Sequence, residues 1–220
     1  MDVFVLGATG MVGSTVVAEL SERGHHVTAG LRPGGSPPPK GAAGHAIDPR
    51  SASSIAIAVG GYDAVVSALG GGALGDPRLV ADAAPQLLEG LARARVRRLL
   101  VVGGAGSLIN ADGRRRVDAE DFPPAWRQGS VAQADALDTY RAYEGPVEWT
   151  YLSPSDGISP GGRTGDVELG EDQLLLGPSG ESWVSVEDYA AVLVDELERG
   201  EHLSSRFTVR TRAARPSGKA

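Results

Sequence analysis

Cysteine is absent from this 220-residue chain, which excludes disulfides, thiol catalysis and thiolate-bound metals together. Lysine is almost absent: Lys40 and Lys219 are the only two. No uninterrupted apolar run approaches the roughly 18 residues of a membrane span, and Asp2 opens directly into an apolar strand pattern, so neither a membrane segment nor a signal peptide is expected. A net charge of -7 provides no broad attraction for nucleic acid or an anionic membrane. The four histidines (His25, His26, His45 and His202) show no ligand spacing, and no Gly-x-Ser-x-Gly elbow occurs, so no metal site and no serine hydrolase is expected. What remains is a cytoplasmic globular protein, one domain over residues 1–210 with a flexible tail at 211–220, acting on a small molecule.

The informative stretch is Val3 to Gly13, where an apolar strand runs into Gly7-Ala8-Thr9-Gly10-Met11-Val12-Gly13 and then into a helical pattern of Val12, Val16, Val17 and Leu20. Glycines at a strand-to-helix turn let a pyrophosphate approach the backbone and meet the free N–H groups of a helix start. Residues 7 to 13 are therefore the expected phosphate cradle.

Further along, apolar runs expected as strands cover His26–Leu31, Ala46–Ile47, Ala64–Leu69, Arg97–Val102, Val147–Leu152 and Arg206–Val209. Helical patterns cover 51–59, 77–94 with Pro85 as an obstacle, 130–143, and a stripe from Ser185 to Leu197 closed by Gly200. Strands alternating with helices predict an α/β, doubly wound parallel sheet, Rossmann-like. The Pro/Gly-rich segment 153–183 reads as a small C-terminal loop-and-hairpin lobe on the substrate side. Arg114-Arg115-Arg116, close to Asp118, Glu120 and Asp121, reads as a solvated mixed-charge loop.

Ligands of such sheets lie beyond the strand carboxyl ends, so Gly7, Gly70 and Gly103 are expected along one crevice. Backbone groups of Ala68, Leu69 and Gly70 are placed to line the nicotinamide-side ribose. The second strand ends in Leu31-Arg32 with no acid nearby, and an arginine there suits the 2′-phosphate of NADP(H) rather than the free ribose of NAD(H), which stays open as the lesser choice. Asp48 either accepts a hydrogen bond from the adenine amino group or caps the helix opening near Ser51.

With its Gly-x-x-Gly-x-x-Gly start, Arg32, Val101-Val102-Gly103-Gly104-Ala105-Gly106-Ser107 and Trp149-Thr150-Tyr151-Leu152-Ser153-Pro154, the chain resembles the atypical short-chain dehydrogenase/reductase group. Within that group it looks like the NAD(P)H-binding, NmrA-like and biliverdin/flavin-reductase-like branch. The resemblance implies an NADP(H) site with the pyrophosphate over Gly7 to Gly13, the 2′-phosphate at Arg32 and the nicotinamide near Gly103, Gly104, Ser107 and Pro154. It also implies that the Ser107 hydroxyl can bond a substrate oxygen.

One departure from the family pattern bears on the chemistry. Active members commonly carry a Tyr-x-x-x-Lys pair on the helix after the fifth strand, and no tyrosine of this chain is followed four residues later by lysine; the corresponding positions fall near Gly129 and Gln133. Alcohol–ketone and sugar-epimerase chemistry is not expected without that pair. Hydride transfer to a flavin, quinone or enone does not need it, because the proton can come from water. That chemistry predicts a pocket beneath 153–183 walled by Leu108, Trp126 and Trp183. A non-catalytic NADP(H)-binding sensor that engages a protein partner is the alternative.

Overall fold

The computed structural model describes residues 1–71 and 75–213. Strand β1 (Asp2–Leu6) shows why the sheet must be covered on both faces. Val3 and Val5 enter one core while Phe4 and Leu6 enter the other, and all four are buried. A strand with side chains alternating at period two can be apolar throughout only when both faces are packed.

In chain order, α1 (Met11–Glu22), β2 (His26–Leu31), β3 (Ala42–Ala46), α2 (Ala52–Val59), β4 (Ala64–Ser67), α3 (Leu79–Ala94) and β5 (Arg98–Val102) follow. Next come α4 (Pro124–Arg141), β6 (Glu148–Ser153), β7 (Gly157–Ser159), β8 (Val167–Gly170), β9 (Trp183–Ser185), α5 (Val186–Arg199) and β10 (Ser205–Thr211). The main sheet has the order β3-β2-β1-β4-β5-β6-β10-β8, parallel except for β8 against β10. Helices α1 and α5 pack on the face of Val3 and Val5, and α2, α3 and α4 on that of Phe4 and Leu6. This is the expected α/β doubly wound fold. The chain moves outward from β1 to β3 and returns to β4, so the crevice between the ends of β1 and β4 is where the order reverses.

Several elements differ from their expected bounds. The third strand lies over Ala42–Ala46 rather than Ala46–Ile47; it is an exposed edge strand with Gly44 and His45, so it shows no apolar signature. Helix α4 begins at Pro124, six residues before the apolar pattern, because proline at the first helical position gives up a hydrogen bond that would be missing anyway. Pro85 does not interrupt α3.

The 153–183 segment forms no hairpin. Strand β7 pairs in parallel with β9, whereas β8 adds to the free edge of β10. Thr211, assigned to a tail, is instead the buried last residue of β10, and Arg212 N–H donates to the Asp166 carbonyl at 2.9 Å; tail positions 214–220 lie outside the described residues. The loop between β7 and β8 is held by the first turn of α5. Glu187 accepts from the N–H groups of Gly161 and Gly162 at 3.1 Å, and Asp188 from those of Thr164 and Gly165 at 2.8 and 3.0 Å.

Candidate functional site

The turn from β1 into α1 uses its three glycines for two different reasons. Gly7 has φ +70°, and a Cβ on it would lie 2.2 Å from the Ala68 carbonyl oxygen; one on Gly13 would lie 2.1 Å from the Gly7 carbonyl oxygen. Those two glycines are demanded by backbone packing itself. A Cβ on Gly10 would meet nothing closer than the Gly7 oxygen at 3.4 Å, so its bareness serves the open space above it.

Gly10 is the N-cap of α1, with no side-chain capping bond and no acid in the first turn. Side-chain caps close two other helices: Ser51 accepts from Ser54 N–H at 3.2 Å to cap α2, and Ser185 accepts from Asp188 N–H at 3.0 Å to cap α5. Helices α3 and α4 also start without one, but of these three uncapped starts only that of α1 combines glycine with the floor of a cleft. An uncapped helix start facing a cleft leaves its N–H groups and its positive dipole end for an anion. The residues present fit a dinucleotide's phosphates.

That turn forms the floor of a cleft of about 980 Å³ at the carboxyl ends of the strands. Gly7, Thr9, Gly10, Met11, Val12 and Gly13 line the floor. Arg32, Gly35 and Ser36 border it beyond β2; Asp48 and Arg50 border it beyond β3; Ala68, Leu69 and Gly70 do so beyond β4. Val102 and Gln133 close the inner end.

Two arginines reach the cleft in opposite electrostatic states. Arg50 is tied to Asp76 at 2.7 Å and to Asp82 at 3.2 Å, and the Asp76 hydrogen bond leads the effects that push its pKa up. Arg32 is exposed, and its guanidinium makes no hydrogen bond or ion pair among the described residues. Its charge is uncommitted. Asp48 accepts from Arg50 N–H at 2.9 Å in a local turn, while the cap of α2 is Ser51, so of its two expected roles only the cleft-facing one is left open.

Ala8, Gly103, Gly104, Ser107 and Pro154 do not line this cleft. Ala8 packs into the core beside Val5 and Val16. Gly103 lies over the Tyr151 ring, where a Cβ would come within 2.1 Å of Cε1, and Gly104 N–H donates to the Tyr151 hydroxyl at 3.1 Å. The Ser107 hydroxyl is buried without a protein partner. The expected walls are not walls: Leu108 is fully buried, Trp183 is buried with its indole N–H on Ser159 Oγ at 2.9 Å, and Trp126 is 63% exposed on the outside of α4.

Residue type alone did not reveal the part played by Arg116. Rather than being solvated, it is buried between Asp121 at 2.8 Å and Asp156 at 3.0 Å and fastens the loop before α4 to the end of β6.

Among the described residues, those lining the cleft at its β4 and β5 side (Ala68, Leu69, Gly70, Val102 and Gln133) include no acid. Tyr151 is the nearest phenol, yet it is fully buried and its burial pushes its pKa well above the ordinary value. Gln133 was singled out in the sequence only as the place where a lysine is missing. In the structure Gln133 borders the cleft. Among the described residues no cluster of side chains could hold a metal ion, and no helix is long and apolar enough to cross a membrane.

Comparison with known proteins accords with this geometry. The model of a family described as NAD(P)H-binding matches residues 7–199. The Bacillus subtilis protein YwnB, itself uncharacterized, is 35% identical over 212 residues, covering 95% of this chain and 98% of its own. Among solved structures, a candidate exported protein from Burkholderia pseudomallei is 37% identical with a TM-score of 0.86, covering 96% of this chain and 99% of its own. A candidate NADH-flavin reductase from Streptococcus pneumoniae is 33% identical with a TM-score of 0.84 over the same shares.

Proposed function

The chain belongs to the NAD(P)H-binding family of the atypical short-chain dehydrogenase/reductase group, and from that premise we propose that it is an NADP(H)-dependent oxidoreductase of a small conjugated acceptor. The observation that carries the proposal is the pairing of an uncapped, glycine-floored helix start with an uncommitted Arg32 at the cleft margin and, among the described residues, no side-chain acid at the inner end.

In this reading the first turn of α1 holds the pyrophosphate and Arg32 the 2′-phosphate, which makes the cofactor NADP(H) rather than NAD(H). A bound reduced nicotinamide supplies hydride. Val102, Leu69 and the Gln133 amide bound the space at the inner end and limit water there. Ser107 keeps unused hydrogen-bonding capacity, but its hydroxyl is buried outside the cleft, so in this reading it does not touch the acceptor. Among the described residues no side chain lining the cleft is placed to relay a proton at that end, so in this reading the proton comes from water, which suits a flavin, quinone or enone and not an unactivated ketone. The Streptococcus pneumoniae relative named a candidate NADH-flavin reductase supports an acceptor of this kind. A cytoplasmic site of action belongs to the same reading, and the lack of cysteine is consistent with it.

The test is NADPH consumption by purified protein with FMN, 1,4-naphthoquinone and an enone as acceptors. Turnover above the uncatalysed background with at least one, and with NADPH preferred over NADH, is the expected result. Tight NADPH binding without acceleration for any acceptor would remove the enzymatic reading.

A further inference from the structure

Helix α4 brings Gln133 to the inner end of the cleft, and three hydrogen bonds fix how it stands there. The Tyr151 hydroxyl accepts from Gly104 N–H at 3.1 Å. Its single proton points to Gln133, whose backbone oxygen lies at 3.0 Å and whose side-chain Oε1 lies at 2.9 Å. The stem of Gln133 rests on Gly104, where a Cβ would come within 3.0 Å of the Gln133 Cβ. Phenol, glycine and amide thus brace one another.

A primary amide has one acceptor oxygen and two N–H donors. Oε1 shares the Tyr151 proton with the Gln133 backbone oxygen, which holds the amide with its oxygen toward the phenol; the unused groups are then the two donors, and among the described residues they have no protein partner. From this we infer that Gln133 is the specificity-determining residue of the cleft: its amide N–H groups receive a neutral carbonyl oxygen of the acceptor, so that a quinone, flavin or enone carbonyl is selected over an apolar ring of the same shape. The inference rests on the proposed function for the nature of the acceptor, but it concerns recognition and not turnover.

Buried, unionised Tyr151 acts through Gln133 and is a positioning residue. An uncharged donor also makes recognition independent of pH across the range where histidines and carboxylates titrate. A site that discriminates by hydrogen bonding to an oxygen penalises the analogue lacking it, because the amide is then left unpaired.

The experiment measures binding to the NADP⁺-loaded protein, where no hydride is available. The probes are 1,4-naphthoquinone and naphthalene, equal in ring size and differing in the carbonyls; the chain has no thiol to capture the quinone. Wild-type protein is expected to prefer naphthoquinone by about tenfold, the worth of roughly one good hydrogen bond. Q133M and, at pH 8, Q133E lose that preference, while thermal melts report that both variants are folded. Quinone preference in the wild type that is constant from pH 6 to pH 8 adds support.

Retention of the preference in Q133M overturns the inference, as does its loss in S107A with Q133M unaffected, which would make Ser107 the donor. Equal binding of the two probes by wild-type protein overturns it too. If wild-type protein prefers the quinone and Q133M does not, yet NADPH is never oxidised, recognition by Gln133 stands and the enzymatic reading falls.

Discussion

The Thr211 hydroxyl at the end of β10 donates to Asp188 Oδ2 at 2.8 Å, joining the last strand of the sheet to the first turn of α5. The same carboxylate accepts from the Thr164 hydroxyl at 2.7 Å and from two loop N–H groups, so a residue only 1% exposed has its charge fully solvated by protein donors. Burial alone would raise the pKa of Asp188. The bonds from Gly165, Thr164 and Thr211 outweigh it and hold the carboxyl below its usual value.

A folded-state pKa held below the unfolded value means stability that is fully present above the unfolded pKa and lost as pH falls through the folded one. Asp188→Asn is expected to cost about 3 kcal/mol at pH 7, since an amide nitrogen turned toward N–H donors leaves them unpaired. Urea melts at pH 7 and pH 3 check this: the penalty of the variant is smaller at the acid pH, where the wild type has lost its own advantage. An equal penalty at both would show that the charge is immaterial.

For the cofactor margin, Arg32→Ala is expected to weaken NADPH binding about 10- to 100-fold, the worth of one charge-assisted contact to phosphate, and NADH hardly at all. Fluorescence titration with both nucleotides decides it. Equal weakening of the two would remove the case for NADP.

The glycines of the first turn should separate by role. Gly10→Ala keeps an allowed extended backbone and meets nothing nearer than 3.4 Å, so it is expected to fold with nearly the wild-type melting temperature and to bind NADPH about tenfold more weakly or worse. Gly13→Ala would drive a methyl to 2.1 Å from the Gly7 oxygen and is expected to lower the melting temperature itself. Thermal melts with and without nucleotide distinguish the two. Full NADPH affinity in Gly10→Ala would contradict the cradle.

Two arginine–carboxylate pairs of similar length should respond differently to removal. Arg98 and Glu196 are 2.7 Å apart, Glu196 buried and Arg98 half-buried, and burial pushes the Arg98 pKa down, so Glu196→Ala strands a largely desolvated cation and is expected to cost about 3 kcal/mol with little dependence on salt. Arg50 and Asp76, also 2.7 Å apart, are both solvent-accessible, and Asp76→Ala is expected to cost less than about 1 kcal/mol, less still in 1 M salt. Denaturant midpoints at 0.05 and 1 M NaCl provide the comparison.

Much of the sheet was legible from the residues because a strand packed on both faces must be apolar throughout, as Val3 to Leu6 and Ala64 to Val66 are. Edge strands escape that constraint. Strand β3 shows Gly44 and His45 to solvent, and β8 forms only because β10 has a free side, so neither carries a local signature. The hydrogen bond from Thr211 to Asp188 spans residues whose types suggested a tail and a helix start, and nothing local joins them.

By itself the sequence determined that a doubly wound sheet would begin with a phosphate-sized turn, since Gly7, Gly10 and Gly13 between an apolar strand and a helix have few other uses. It also determined which pattern is missing: with lysine only at Lys40 and Lys219, the chain has no Tyr-x-x-x-Lys pair. Tertiary structure alone decided which polar groups face the cleft and which are consumed elsewhere. Arg32 and Arg50 are the same residue type near the same margin, yet one is neutralised by two aspartates and the other is not. Gln133 and Tyr151, 18 positions apart on a helix and a strand, meet only when α4 packs on β6, and that contact turns the amide donors loose. Residue type sets what a group can bond; the fold sets which of those bonds are already made.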